Sequence, residues 1–580
     1  MKSKITKHQP VWGWLVGFVF ATAIVLLALP GVWELFRPNY YTSHDGEGHV
    51  IRMDEFYHAF IDGQFPVRWS KRLYFGYGYP FFNFNYPSTY YLGLPAMLLG
   101  FSATVAMKSE MIGTYFLSAL FMFWYLKRKV SWPFAIAGAV LYVYAPYRLL
   151  NIYVRGSVAE SMAFMFPPLL MWTAELIAEK KPRAILYGAL TIFGLGISHN
   201  ISALLLFAFF FAYLFFLAVA RRSFWPLIRG GVAFGWGLAM AAFFFVPALL
   251  EKKYTFLDQT IAKDYPDHFV YLFQLVKAGW GFGSSVAGPN DGLSFNIGWI
   301  QLGITGLGSA WLLILRRQKT AQKLAHDHFL TLLLFSTTVL LGSIFFMTSP
   351  SRIFWDHVPL LPFVQFPWRF LMLTVPVLSV MSAVTLDELA RSYKWSLMIK
   401  MMIMCLIIAG TYAIAKDQWH INQTLIPKTV TGDALEGSTT WADEQATQWF
   451  LPKPNKIPAQ KIEFMSQEKK ITGQFQINSW LTGTHQYQIT LPTAMTVVEN
   501  TMYYPGWEVS LDGKSVPINY LNKIYPGRIV YEASAGKHLV ITTLRETPLR
   551  SSMDLISGLG LTAAGAMILW TLVKFWDCDR

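Results

Sequence analysis

Long apolar runs, many of roughly 18 residues or more and separated by short clusters of lysine and arginine, decide what this chain can fold into. In hydrocarbon such a run satisfies its own peptide groups only as a helix. The expected class is therefore a polytopic α-helical membrane protein. Only 14% of the 580 residues are charged, against about a quarter in ordinary soluble proteins. A net charge of +14 would point to nucleic acid in a soluble protein. Here the basic residues collect in loops beside apolar runs, as a positive-inside topology requires, so no nucleic-acid partner is expected. Cys405 lies within an apolar run and Cys578 at the tail, which argues against a disulfide framework.

Lys2, Lys4 and Lys7 precede an apolar run over 11–33 that is too long for a signal-peptide core. It reads as an uncleaved anchor with its N-terminus in the cytoplasm. Five basic clusters follow, at 127–129, 180–183, 221–229, 316–319 and 391–400. Placing all of them inside predicts spans near 109–126, 133–147, 159–178, 183–199, 201–220, 228–249, 296–315, 328–347, 367–387 and 396–415. A last span over 556–575 returns the C-terminus to the cytoplasm. The expectation is a multi-pass plasma-membrane protein of about 12–13 helices. Residues 1–415 form the membrane domain with a first outer loop at 34–87, and 551–580 carry the final helix and tail. The apolar stretch 87–107 breaks the parity of the count and is expected to lie partly in the outer interface.

Between 416 and 550 the composition becomes that of a soluble domain. Alternation over 470–477 and 486–491 predicts half-buried strands. Asp512-Gly513 between two strand-like runs predicts a hairpin, and 531–542 a further strand pair. An extracytoplasmic β-sandwich is expected.

The candidate chemistry gathers in the first outer loop. His44, Asp45, Glu47, His49 and Arg52 fall within 41–52, in a chain where charge is scarce. Helical spacing from Asp45 puts Val50, Met53, Tyr57, Phe60 and Ile61 on one side, an amphipathic surface helix with Asp45 at its start. Asp45 is then either a helix cap or a catalytic carboxylate. The same four acids and imidazoles are competent metal ligands, but their spacing matches no zinc pattern. No resident metal is expected, and a divalent ion is the lesser alternative.

Further along, Arg155 and Glu160 bracket a predicted span boundary, where ionisable groups at membrane depth point to function or to an ion pair. His199-Asn200 form a polar turn between two apolar runs. Trp280 and Asp291 lie in a glycine- and aromatic-rich outer loop suited to a sugar ring or to interface anchoring. Arg369 stands at the outer mouth of a span, placed to hold a phosphate or to snorkel to lipid head groups.

Ser43-His44-Asp45 with Val67-Arg68-Trp69, Tyr153 to Gly156 with Glu160, Phe363 to Arg369 and Tyr503 to Val509 carry a resemblance across nearly the whole chain. It resembles bacterial YfhO-like membrane proteins, often labelled 6-pyruvoyl-tetrahydropterin synthase-related, which are similar to GT-C glycosyltransferases. The resemblance implies that an acidic residue of the first outer loop acts on the acceptor while a polyprenyl-phosphate sugar enters from the bilayer. By motif position that residue is Asp45, with Glu47 the alternate. The substrate-binding candidates are His44, His49, Arg52, Arg155, Glu160, His199, Asn200, Trp280, Asp291 and Arg369. The implied partners are the lipid bilayer, a polyprenyl-phosphate sugar and a cell-envelope glycan or lipid acceptor. The rival readings are a transporter or flippase of lipid-linked glycans, and a non-catalytic envelope assembly protein.

Overall fold

The computed structural model describes residues 9–260, 264–277, 279–316, 328–425, 436–440, 442–466, 469–471 and 473–578. Lys2, Lys4 and Lys7, and Arg317 to Lys319 of the fourth basic cluster, lie outside the described residues.

Among the described residues, seven helices are long and apolar enough to cross a membrane: Trp14–Phe36, Val158–Ala178, Asn200–Ala220, Phe329–Met347, Pro367–Ser392, Leu397–Ala415 and Pro548–Thr571. Two helix pairs qualify as bent spans, Trp132–Val143 with Pro146–Tyr153 and Trp225–Met240 with Ala242–Tyr254. Among the described residues these are fewer than the 12–13 helices expected. Each run forms helix, but Ala184–Gly196 and Trp299–Ile314 are short. The 25-residue helix Ala103–Lys127 is diluted by Lys108, Glu110 and several hydroxyl side chains. The ambiguous stretch 87–107 is not one helix. Ser88–Leu98 has 11 residues, about 16 Å of rise against a hydrocarbon core of about 30 Å.

Ala242–Tyr254 turns 78° from the preceding helix, and Pro247 lies inside it. A proline lacks the N–H that would meet the carbonyl four residues back, here Phe243. Arg68 supplies the missing donor to that oxygen at 3.0 Å.

The chain divides into two compact units. The first comprises Met1–Glu47, Lys108–Gly235 and Asp264–Ile426; the second comprises Gly48–Met107, Trp236–Lys263 and Pro427–Arg580. In the first, the Pro367–Ser392 helix is buried from Pro367 to Asp387. The end of Trp14–Phe36 is pinned by tyrosines. Gly31 N–H donates to the Tyr144 hydroxyl, and the Tyr153 hydroxyl donates to Gly31 C=O, each at 2.9 Å. Strand β1 (Tyr40–Tyr41) then pairs antiparallel with β2 (Thr424–Leu425).

The second unit carries the β-sheets. Strands β3 (Ile462–Ser466), β4 (Lys469–Ile471), β7 (Met495–Met502) and β10 (Arg528–Ala533) form one sheet in the order β10-β7-β3-β4. The other is β5 (Gln474–Trp480), β6 (Thr484–Leu491), β8 (Trp507–Leu511), β9 (Lys514–Val516) and β11 (Gly536–Leu544), ordered β5-β6-β11-β8-β9. Asp512 and Gly513 both have positive φ, 49° and 82°, the turn that matches strand twist in a two-residue hairpin. The expected strand pair over 531–542 is corrected: β10 and β11 are consecutive but belong to opposite sheets. Tyr487 and Tyr531 meet hydroxyl to hydroxyl at 3.0 Å between them.

Candidate functional site

Main-chain pairing fixes the first part of the site. His44 N–H donates to Val154 C=O at 3.1 Å, and Asp45 N–H to Arg155 C=O at 2.9 Å. Two segments separated by more than a hundred residues thus run together with atomic register. Gly156, at φ +62°, permits it: a Cβ there would lie 2.3 Å from the Ser43 hydroxyl oxygen and 3.0 Å from Gly46 N. Only glycine fits that approach.

Asp45 immediately precedes the helix Gly46–Ile61, as the spacing predicts. Its side chain is exposed, and its carboxylate accepts no hydrogen bond among the described residues. The capping alternative would have it accept from the first helical N–H groups. Glu47 is exposed in the first helical turn, and His44 reaches Phe282 C=O at 3.4 Å.

Beneath Asp45, in the first unit, lies a buried ionic cluster. Arg155 Nη1 pairs with Glu160 Oε2 at 2.6 Å, and Arg369 Nε stands 3.8 Å from the same oxygen. The Tyr147 hydroxyl donates to Glu160 Oε1, and Asn151 Oδ1 accepts from Arg155. Arg369 Nη1 donates to Val364 C=O at 2.9 Å and to Gln365 Oε1 at 3.0 Å. Arg155 sits over the Trp368 ring at 4.7 Å and Arg369 over Phe366 at 4.9 Å. Those two rings stack 5.1 Å apart. One carboxylate therefore serves two guanidinium groups on an aromatic floor. Arg369 Nε and Trp368 Nε1 are buried with no hydrogen-bond partner among the described residues.

Charge in the cluster follows from its surroundings. Burial alone would loosen the Arg155 proton, but Glu160, Tyr147 and Asp45 more than offset it and hold it above the ordinary arginine value. His199 caps Asn200–Ala220, accepting from Ser202 N–H at 3.3 Å. Burial comes first in its balance; Glu160 pulls one way, Arg369 and Arg155 the other, and the imidazole is pushed down to about 3. His199 is neutral at pH 7.

An outer loop is stitched over this floor. Asp291 accepts from Gln274 Nε2, Ser285 Oγ and Val286 N–H, all at 2.9 Å. The loop is tied to the Arg369 corner through Gln365, whose Nε2 donates to Asp264 Oδ2 at 3.1 Å. Its His268 ring meets the Phe366 ring edge to face at 4.7 Å. Trp280 Nε1 is buried with no hydrogen-bond partner among the described residues.

Of the predicted residues, the structure gathers Asp45, Arg155, Glu160, His199 and Arg369 in one unit, together with His44, Glu47, Asn200, Trp280 and Asp291. Asp291 spends its oxygens on the loop itself. Asn200 is exposed at the first helical position. His49 and Arg52 belong to the second unit. There His49 is buried, and Arg52 donates to Thr439 Oγ1 at 3.0 Å over the Phe81 ring. Sequence reasoning passed over Tyr147, Asn151, Gln365 and His268. The first two lie in the polar stretch that yielded Arg155, and Gln365 adjoins the Phe366-Pro-Trp-Arg369 motif. His268 carries no pattern that marks it.

A family described as the 6-pyruvoyl-tetrahydropterin synthase related domain, a membrane protein, matches residues 82–416, more than half of the chain. This chain belongs to that family. The matched region of this 6-pyruvoyl-tetrahydropterin synthase related membrane protein contains Arg155, Glu160, His199, His268 and Arg369 but not Asp45. An uncharacterized protein of Lactococcus lactis subsp. cremoris (strain MG1363) is 23% identical over 248 residues, 41% of this chain and 40% of that protein. Among solved structures, the mycobacterial arabinofuranosyltransferase AftD matches at a TM-score of 0.42 and 15% identity, over 70% of this chain and 27% of AftD.

Proposed function

We propose that this protein is a membrane glycosyltransferase, moving a sugar from a polyprenyl-phosphate donor to an extracytoplasmic glycan or lipid acceptor. The observation that carries the reading is the main-chain bond that holds Asp45 against Arg155. It sets an exposed carboxylate beside a buried cluster in which two guanidinium groups share the single carboxylate of Glu160. A phosphodiester entering from the bilayer meets cationic donors in buried, low-dielectric surroundings, where they are worth most. Asp45 takes the proton of the acceptor hydroxyl. The acceptor oxygen bonds to the anomeric carbon as the bond to the phosphate oxygen breaks, and polyprenyl phosphate leaves. The phosphate is a good leaving group, so the protein's task is base assistance and charge stabilisation. Glu47, two residues beyond Asp45 in the first helical turn, is the alternate acid.

The test is transfer from radiolabelled polyprenyl-phosphate sugars to envelope glycan acceptors by purified protein. Asp45→Asn is expected to leave expression intact and to lower transfer by about 10²–10⁴-fold, the usual worth of a general base. Full activity in that variant would sink the assignment. A second reading, a transporter or flippase of lipid-linked glycans, draws on the two bent spans, since broken helices are a transporter device. Movement of labelled lipid across proteoliposomes without transfer would favour it.

A further inference from the structure

The outer loop contains a hydrogen-bond relay whose protons can be assigned. Ser285 Oγ lies 2.9 Å from Asp291 Oδ1 and 2.9 Å from His268 Nδ1. A serine hydroxyl has one proton, and an ionised carboxylate only accepts. The proton therefore goes to Asp291, and in the second contact the serine oxygen must accept. That fixes the imidazole as the Nδ1–H tautomer when neutral, leaving the lone pair on Nε2. Nε2 has no hydrogen-bond partner among the described residues.

The groups around His268 decide its charge. Burial lowers its proton affinity; Asp264, Asp267 and Asp291 oppose this and Arg369 adds to it, and the balance lies below the ordinary histidine value. The ring is neutral at pH 7 and presents a lone pair. It also shares a surface with the phosphate cluster, because His268 and Arg369 both pack on the Phe366 ring. A bare lone pair repels a phosphate oxygen and accepts from a hydroxyl.

We propose that His268 recognises the donor sugar, its Nε2 accepting a hydrogen bond from a sugar hydroxyl while Arg155 and Arg369 hold the phosphate. Ser285 and Asp291 act as positioning residues that keep the lone pair on the correct nitrogen. This rests on the glycosyl-transfer reading above and adds to it the residue that tells a sugar-bearing lipid from a bare one.

The experiment measures equilibrium binding to the full chain in nanodiscs at pH 7.5, using polyprenyl-phosphate mannose, polyprenyl-phosphate glucose and polyprenyl phosphate as probes. The wild-type protein is expected to bind at least one sugar-bearing lipid more tightly than polyprenyl phosphate. His268→Phe should reduce that advantage by about tenfold, the scale of one lost hydrogen bond, with binding of polyprenyl phosphate unchanged. His268→Gln, whose amide reaches the Nε2 position, should recover part of it. Ser285→Ala, which frees the tautomer, should give a smaller loss of the same kind. Unchanged polyprenyl phosphate binding reports that each variant is folded. Equal loss for all lipids, no loss in His268→Phe, or no sugar advantage in the wild type overturns the role of His268 while leaving transfer to its own assay. If the wild type binds none of the three lipids, the donor reading falls and the inference with it.

Discussion

Glu160 carries more than its share of the site. It is the one carboxylate within ion-pairing distance of both Arg155 and Arg369 among the described residues. Breaking a buried ion pair by removing one partner costs about 3–5 kcal/mol, because the other charge stays buried. Glu160→Gln should therefore lower the thermal midpoint of the purified protein clearly. Polyprenyl phosphate should restore part of the loss, since its anion replaces the missing carboxylate. A midpoint unchanged by the substitution, or a loss that the lipid does not relieve, would show that the cluster is not built around an anion. At this scale the sequence spoke unevenly. Arg155, Glu160 and Arg369 were legible because ionisable residues stand out in apolar surroundings. His268 was not, because its significance depends on Ser285 and Asp291 folding back on it, a contact no period or spacing announces. Asp45 and Arg155 were both legible, but not the main-chain bond that joins them.

The β-sheets show what local pattern can and cannot establish. The Asp512-Gly513 turn was readable because its chemistry is local. The assignment of β10 and β11 to one pair failed because sheet membership is set by long-range packing, and two residues suffice to cross from one sheet to the other. Between the sheets lies a buried polar group. Glu499 receives the Thr542 hydroxyl at 2.7 Å and the Tyr487 hydroxyl at 3.0 Å, and His485 Nδ1 lies 2.6 Å from it. Burial raises its affinity for a proton, but His485 and the Thr542 hydroxyl outweigh it, and the folded value lies below the ordinary glutamate value. A depressed carboxylate stabilises the fold above its unfolded pKa, about 4.3, and loses that contribution as pH falls through the folded value. Hydrogen exchange over Met495–Met502 should accordingly speed up as pH drops below about 4, once the intrinsic pH dependence of exchange is removed. Glu499→Gln should flatten that response. An equal acid response in both proteins would place the sensitivity elsewhere.

For the molecule as a whole, we propose from the basic clusters that the 180–183 loop lies inside and the β-sheets outside. With Cys405 and Cys578 replaced, a cysteine at Ser515 should react with a membrane-impermeant maleimide in intact cells, and one at Lys181 only after permeabilisation. The reverse pattern would invert the chain and detach the site from the outer face. The count of spans was the weakest part of what the sequence offered, because hydropathy alone does not separate a spanning helix from short apolar helices such as Ala184–Gly196 and Trp299–Ile314. The contact of Gly156 with Ser43 and Gly46 has a consequence for how such a protein changes over time. The proposed base and the proposed phosphate cluster are held in step by peptide groups, so side-chain drift around them cannot easily alter their spacing. Among the described residues, the outer loop that carries His268 meets the Arg369 corner through side chains. On the proposed function, new substrate preferences are free to arise in the loop while the proposed transfer chemistry is inherited unchanged.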